Sequence, residues 1–357
     1  MVAQAMDGVE IGRLVRMMIP VCRAAGEQRV ARGRGRTFDF ADWQIGIMIA
    51  MATLKLRKSK SAQYEYLLAH AEEVSRWLKL PRFPARSTYF TRFRAAFPFF
   101  EIAIRVQGEV AVDEGFTDPR IQAVDKSLLH ARGPVWHTRD QRRRRRPRGV
   151  DVDATWGYSD HHGWVYGYSF EVLVTAGRKA PVFPMQASVD VASCSEHHSF
   201  AAKIPHLHEA CIYVLVDAGY DNGRYTDAIE FDARGHRTGR RLIGRLQSKS
   251  NDLPPGEASR HRRSHARQRS FDRRQARKRF LNSAVGQSLL PRRSKTVEPY
   301  HQWLKSTFEI DDRVWHRGLA NTRTQILAMI FCHQLLMRLN HRLGHHNGQV
   351  KWMLNTL

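Results

Sequence analysis

The run 211–216, "CIYVLV", constrains this chain more than any other stretch, because almost unbroken apolar residues end directly on the carboxylate of Asp217. A strand without polar alternation has to be covered on both faces, which is how strands of parallel sheets read. "IQAVD" repeats the pattern upstream, ending on Asp125. Between them lie three further strand patterns, "DATWGYS", "GWVYGYSFEVLVTA" and "PVFPMQASVD", and a helical "SFAAKIPHLHEA". A helix, "NGRYTDAIEF", and a strand, "RRLIGRL", follow Asp217, and helical periodicity is sustained from Val297 to Leu343. Strands, then strand–helix alternation, then a closing helix predict an α/β domain built on a mixed sheet.

Residues up to about Gly108 read mainly as helices, with "FADWQIGIMIAMATLKL" and "SAQYEYLLAHAEEVSRWLKL" showing apolar residues at helical spacing. Prolines then break the chain before a short helix near Ser87, which carries Arg92 and Arg94 beside Tyr89 and Phe93. A basic, aromatic helix suits DNA docking and simple packing equally.

Lys and Arg number 58 against 34 acidic residues, a net charge of +24. That excess points to a polyanionic partner, nucleic acid before membrane. It is concentrated in two tracts: one with Arg142, Arg143, Arg144, Arg145 and Arg146 in succession, the other over residues 260–280. Like charges this dense are expected to stay extended until an anion neutralises them, and arginine forks match phosphate oxygens. The alternative is a solvated linker. Cys22, Cys194, Cys211 and Cys332 lack any paired spacing and read as reduced thiols. With no signal-peptide pattern at the N-terminus and an apolar stretch near the C-terminus too short to span a bilayer, a cytoplasmic, nucleoid-associated protein without membrane contact is expected.

Asp125 and Asp217, 92 positions apart, are expected to end neighbouring strands and meet at one sheet edge. Two carboxylates there repel unless a cation sits between them, and oxygen-only ligation suits magnesium. Glu298, 81 positions beyond Asp217, is the candidate third ligand. Pro299 disfavours helix in the residue before it, so Glu298 is expected at a helix cap, with Lys305 two turns on along the same face. Asp151 and Asp153 read as one solvent face of a strand, and Asp160, Asp190, Asp221 and Asp227 as turn or cap residues. Cysteines and histidines between Cys194 and Cys211 match no compact zinc spacing. Trp156, Trp164 and Trp303 read as core or edge-capping residues before base-stacking ones.

The order of "AVDKSLLHA", "WGYSDHHGWVYGYSFEVLVTAG", "VLVDAGYDN" and "VEPYHQWLKSTF" resembles the DDE transposases of bacterial insertion sequences, over roughly residues 125–343. The resemblance implies an RNase H-like mixed sheet flanked by helices, with an all-helical N-terminal region. It also implies that Asp125, Asp217 and Glu298 form the acidic triad and that Lys305 contacts transposon-end DNA. The family's tyrosine and arginine before the glutamate are out of register, with Pro291 and Ser294 in their places; Arg293, one position off, is the implied DNA-contacting arginine. The expected organisation is a DNA-binding region over 1–118, a catalytic domain over 119–345 with basic insertions near 139–149 and 248–292, and a tail over 346–357. The implied cofactor is Mg2+, with Mn2+ a substitute. Two ions about 3.5–4 Å apart serve in-line phosphodiester attack. The implied partners are double-stranded DNA, as transposon ends and target, and a second copy in a homodimeric synaptic complex. A transposase descendant that binds without cutting, and a basic RNA-binding protein, are the alternatives.

Overall fold

A helix apolar on every side needs cover all round. The run 44–54 obtains it: α2 (Asp42–Leu54) is enclosed by α1 (Ile11–Glu27), α6 (Phe97–Asp113) and, from the far end of the chain, α13 (Leu319–Arg342). The computed structural model describes residues 10–29, 39–160, 163–178, 180–246, 264–310, 312–345 and 350–357. Residues 1–9, read for a signal peptide, the second basic tract before residue 264 and tail residues 346–349 lie outside them, as does the side chain of His197. No helix among the described residues is long and apolar enough to cross a membrane.

Helices α3 (Lys60–Ala69), α4 (Ala71–Leu78) and α5 (Arg86–Arg94) complete the helical N-terminal region. The α5 surface offered for DNA docking is mostly interior. Tyr89 and Phe93 are fully buried, and Arg92 is buried too, donating to Phe40 O (3.0 Å) and Asp42 Oδ1 (2.5 Å). Of its three arginines, Arg86 and Arg94 are exposed.

The mixed sheet has six strands: β1 (Ile121–His130), β2 (Thr155–Ser159), β3 (Gly163–Thr175), β4 (Pro184–Val191), β5 (Tyr213–Leu215) and β6 (Arg241–Ile243). β3 pairs antiparallel with β1 along one edge and with β2 and β4 along the other. β5 and β6 run parallel to β1 on its free side. The mixed sheet, its flanking helices and the helical N-terminal region agree with the sequence reading. Asp125 does not end its strand, however. Pairing with β3 carries β1 on to His130, leaving Asp125 at its middle.

Two main cores sandwich the sheet, beside a small cluster of Leu128, Val165 and Ala192. One is continuous from Leu14 to Leu354 and takes in α12 (Arg292–Thr307) and α13. The smaller one, around Phe200, Tyr220 and Tyr225, lies under α8 (Glu196–Ala201) and α9 (Gly223–Glu230).

Three readings of acidic and basic residues need correction. Asp151 and Asp153 are not a strand's solvent face. Asp151 Oδ2 accepts from Tyr168 OH (2.7 Å) and Gly318 N (3.0 Å), and Asp153 Oδ2 from Leu319 N (2.9 Å). Both carboxylates therefore sit on the open amides at the start of α13, where a helix favours negative charge. Asp190 is a β4 residue that pairs with Arg323 of α13 (3.1 Å) rather than capping a turn. The described part of the second basic tract is not extended. It forms α10 (Ser264–Asn282), followed by α11 (Ala284–Leu289). Buried Asp221 takes Arg274 (3.0 Å) and Arg277 (3.1 Å), and Asp227 of α9 pairs with Arg273, so counter-charges within the fold answer three arginines of this helix. The first tract differs. After α7 (Thr138–Arg142), Arg142 to Arg146 are all exposed, and none takes part in an ion pair among the described residues. α14 (Lys351–Thr356) closes the chain against α12.

Removing Asp221 strands two largely buried guanidinium groups, a change that costs about 3–5 kcal/mol. Asp221→Ala is therefore expected to lower unfolding free energy by that order in urea titrations. The amides of α10 should lose hydrogen-exchange protection first.

Candidate functional site

Parallel pairing sets the site's geometry. Ala123 of β1 lies opposite Leu215 of β5, so Asp125 and Asp217 each stand two residues beyond the same rung. Side chains alternate along a strand, and both carboxylates share the parity of Ala123 and Leu215, which face the core under α12. The backbone stays extended through Asp217 (φ −77°, ψ 167°), so the parity holds past the end of β5.

α12 crosses this face. Val297, Tyr300 and Leu304 sink into the core, while Arg293, Glu298, His301 and Lys305 line a cleft of about 890 Å³ with Asp125 and Asp217. Glu298 is not at a cap. The helix starts at Arg292 and runs through Pro299, which leaves out one backbone donor without ending the helix. Glu298 and Lys305 do share the cleft-facing side, as their spacing predicts.

The three carboxylates meet on one cation from the chain itself. Arg293 Nη1 lies 2.8 Å from Asp125 Oδ2, and its Nη2 lies 3.3 Å from Glu298 Oε1 and 3.7 Å from Asp217 Oδ1. The side chains of Asp125 and Arg293 are 18% and 17% exposed, those of Asp217 and Glu298 55% and 53%, so the site is open on the Asp217–Glu298 side. Among the described residues no three His, Cys, Asp or Glu side chains stand close enough to hold a metal ion directly. The guanidinium fills the space between these three. Their convergence on one positive charge still fits them as ligands of a hard cation, which prefers carboxylate oxygen.

Burial pushes the Asp125 carboxyl up to about 6; Arg293 opposes that rise, and Glu196 and Asp217 add to it. Glu196, at the start of α8, is a fourth acid at this cleft, absent from the sequence reading. Gly219 makes room for it, since a Cβ there would stand 3.0 Å from Glu196 Oε2. Burial, then Lys305 and Arg293, push His301 down to about 3, so the imidazole is neutral near pH 7. Lys305 is buried and ion-paired with Asp312, and does not present a free ammonium at the surface.

A buried network on the opposite face braces the Asp217 turn. Glu171 of β3 is 2% exposed; its Oε1 holds Lys203 Nζ (2.7 Å), and its Oε2 accepts from Ser199 Oγ and Tyr220 OH, both at 2.8 Å. Tyr220 follows Asp217 by three residues, and Ser199 fastens α8, which carries Glu196. A lone acid inside "SFEVLV" was the available signal for Glu171. Trp156 packs on Tyr166 (5.5 Å), whereas Trp164 is exposed on the β2–β3 hairpin against Tyr158 (5.4 Å), outside the core.

The Transposase DDE domain model matches residues 116–335, more than half of the chain and the whole stretch that supplies the three carboxylates. The chain belongs to the DDE transposase family. A piggyBac transposase synaptic complex with hairpin DNA, solved by cryo-EM, is similar at 10% identity and a TM-score of 0.39, over 96% of this chain and 76% of that one. No curated protein matches the sequence.

Glu171→Leu leaves the Lys203 ammonium buried without its counter-charge and is expected to cost this transposase about 3–5 kcal/mol in chemical denaturation. Tyr220→Phe loses one hydrogen bond to the Glu171 carboxylate and should cost less, about 1.5–3 kcal/mol. The Asp125 carboxyl titrates near 6 when folded, against about 4 in an unfolded chain. Between those values the folded state binds the extra proton, so this group's contribution to stability declines as pH rises. Asp125→Asn should remove that decline from melting temperatures of metal-free protein measured from pH 4 to 7.

Proposed function

We propose that this chain is a metal-dependent DNA transposase of the insertion-sequence type, with Asp125, Asp217 and Glu298 as its catalytic carboxylates. One observation carries the reading: three acids from β1, the end of β5 and α12 gather around a single positive charge in an open cleft. Carboxylates set against their own repulsion at a cleft mark a cation site more readily than a structural one.

Asp125, Asp217 and Glu298 would hold Mg2+, with Mn2+ as a substitute. Bound there, divalent ions supply activation of the attacking oxygen and charge stabilisation of the leaving one. The reaction would nick the transposon end by hydrolysis, and the freed 3′ hydroxyl would then join target DNA by transesterification. His301, neutral at working pH, adds no charge to compete with the ion. Lys305, freed from Asp312, would reach a phosphate beside the site. Arginines 142–146, without ion pairs among the described residues, suit backbone contact with duplex DNA, whereas Arg273, Arg274 and Arg277 are already neutralised. Residues 1–118 would contribute DNA binding, 119–345 catalysis, and two copies would pair the two ends, at the nucleoid.

A binding-only descendant is the second reading, favoured by the absence of a preformed three-ligand metal cluster among the described residues. Nicking of terminal-repeat DNA with MgCl2 separates the two. The wild type should nick, and Asp217→Asn should lose on the order of a hundredfold or more. Equal nicking by both would remove the site assignment, and none by either would leave the binding-only reading.

A further inference from the structure

Arg293 stands one position away from the residue that the family resemblance led us to expect, and its guanidinium points into the acids. We infer that Arg293 is the resident counter-cation of the triad. It holds the acids together in the metal-free protein and has to withdraw before a divalent ion can enter. The inference rests on the reading of the three carboxylates as a cation site.

The grip on Arg293 is Coulombic more than directional. Its Nη2 makes one long hydrogen bond, 3.3 Å to Glu298 Oε1. Its Nη1 is buried 2.8 Å from Asp125 Oδ2 without the alignment of a hydrogen bond. A group held by charge, with few aligned bonds, is replaceable by a denser charge. Mg2+ takes carboxylate oxygens at about 2.0–2.1 Å, so the acids would have to close into the volume the guanidinium now fills. The two cations exclude each other sterically. Metal therefore binds only the fraction of molecules from which Arg293 has left, and its apparent affinity falls by that fraction.

The same cleft offers Arg293 another partner. A planar fork matches a phosphate diester better than three carboxylates spread about it. DNA backbone entering beside Lys305 would draw Arg293 off the acids, so DNA and metal favour each other's binding. Metal loading is thus coupled to arrival of DNA, and a DNA-free chain keeps its hydrolytic site plugged.

The test titrates Mn2+ alone into DNA-free protein, reading free Mn2+ by electron paramagnetic resonance and the melting temperature by calorimetry. Wild type, Arg293→Gln, Arg293→Lys and Asp217→Asn are compared. Arg293→Gln should melt lower than wild type without metal, bind Mn2+ tenfold or more tightly, and gain more in melting temperature on saturation. Arg293→Lys, which keeps the charge, should stay close to wild type, and Asp217→Asn should weaken binding. Should Arg293→Gln fail to fold, Arg293→Met takes its place. If Arg293 only stabilised the fold, the uncharged variant would melt lower with unchanged Mn2+ affinity. That result, with Asp217→Asn still weakening binding, overturns the inference and leaves the cation site standing. Absence of saturable Mn2+ binding in every variant overturns both.

Discussion

Repulsion between acids governs this molecule's centre, and a shared rung of a parallel ladder is what imposes it. Once Ala123 and Leu215 pair, Asp125 and Asp217 must emerge side by side on one face of the sheet. α12 lies over that face by burying Val297, Tyr300 and Leu304, and the same packing delivers both a third acid and the arginine that offsets all three. The hydrophobic side of α12 thereby sets the position of its charged side.

Much of this was legible before any coordinates. Apolar runs marked the strands of the sheet, and carboxylates at or beyond their ends marked the site. What escaped has identifiable physical causes. β1 outlasts Asp125 because its antiparallel neighbour is longer than its parallel one, and strand length set by a partner is invisible in the strand's own residues. Glu298 lies inside a helix because proline's bias against helix in the preceding residue is a preference, outweighed here by burial of Val297 and Tyr300 on either side of the Glu298–Pro299 pair. Asp151 and Asp153 looked like a strand face because alternation was all that could be read. Their partner, the start of α13, lies more than 160 residues away.

The two arginine tracts show why composition alone does not assign a role. Both are dense in positive charge, yet Arg273, Arg274 and Arg277 of α10 pair with Asp221 and Asp227, while residues 142–146 are exposed and take part in no ion pair among the described residues. The difference lies in counter-charge from elsewhere in the chain. An arginine whose charge is answered internally has little left to offer a phosphate. Arginines without an internal counter-charge keep the capacity to release counterions from DNA.

The same distinction separates two acids on adjacent strands. Glu171 and Asp125 lie on β3 and β1 one register step apart and point to opposite faces. Glu171 is closed off, with an ammonium and two hydroxyl donors at 2.7–2.8 Å satisfying both its oxygens. The sheet holds Asp125 in place no less firmly, but it faces further acids and a single guanidinium, and its carboxyl is pushed up to about 6. A carboxylate with a full set of donors supports the fold, and its removal is felt as lost stability. One held among like charges in a cleft retains unmet demand for positive charge. In this transposase the first kind braces the turn on which the second depends, because Tyr220 ties the chain just after Asp217 to Glu171 through the sheet.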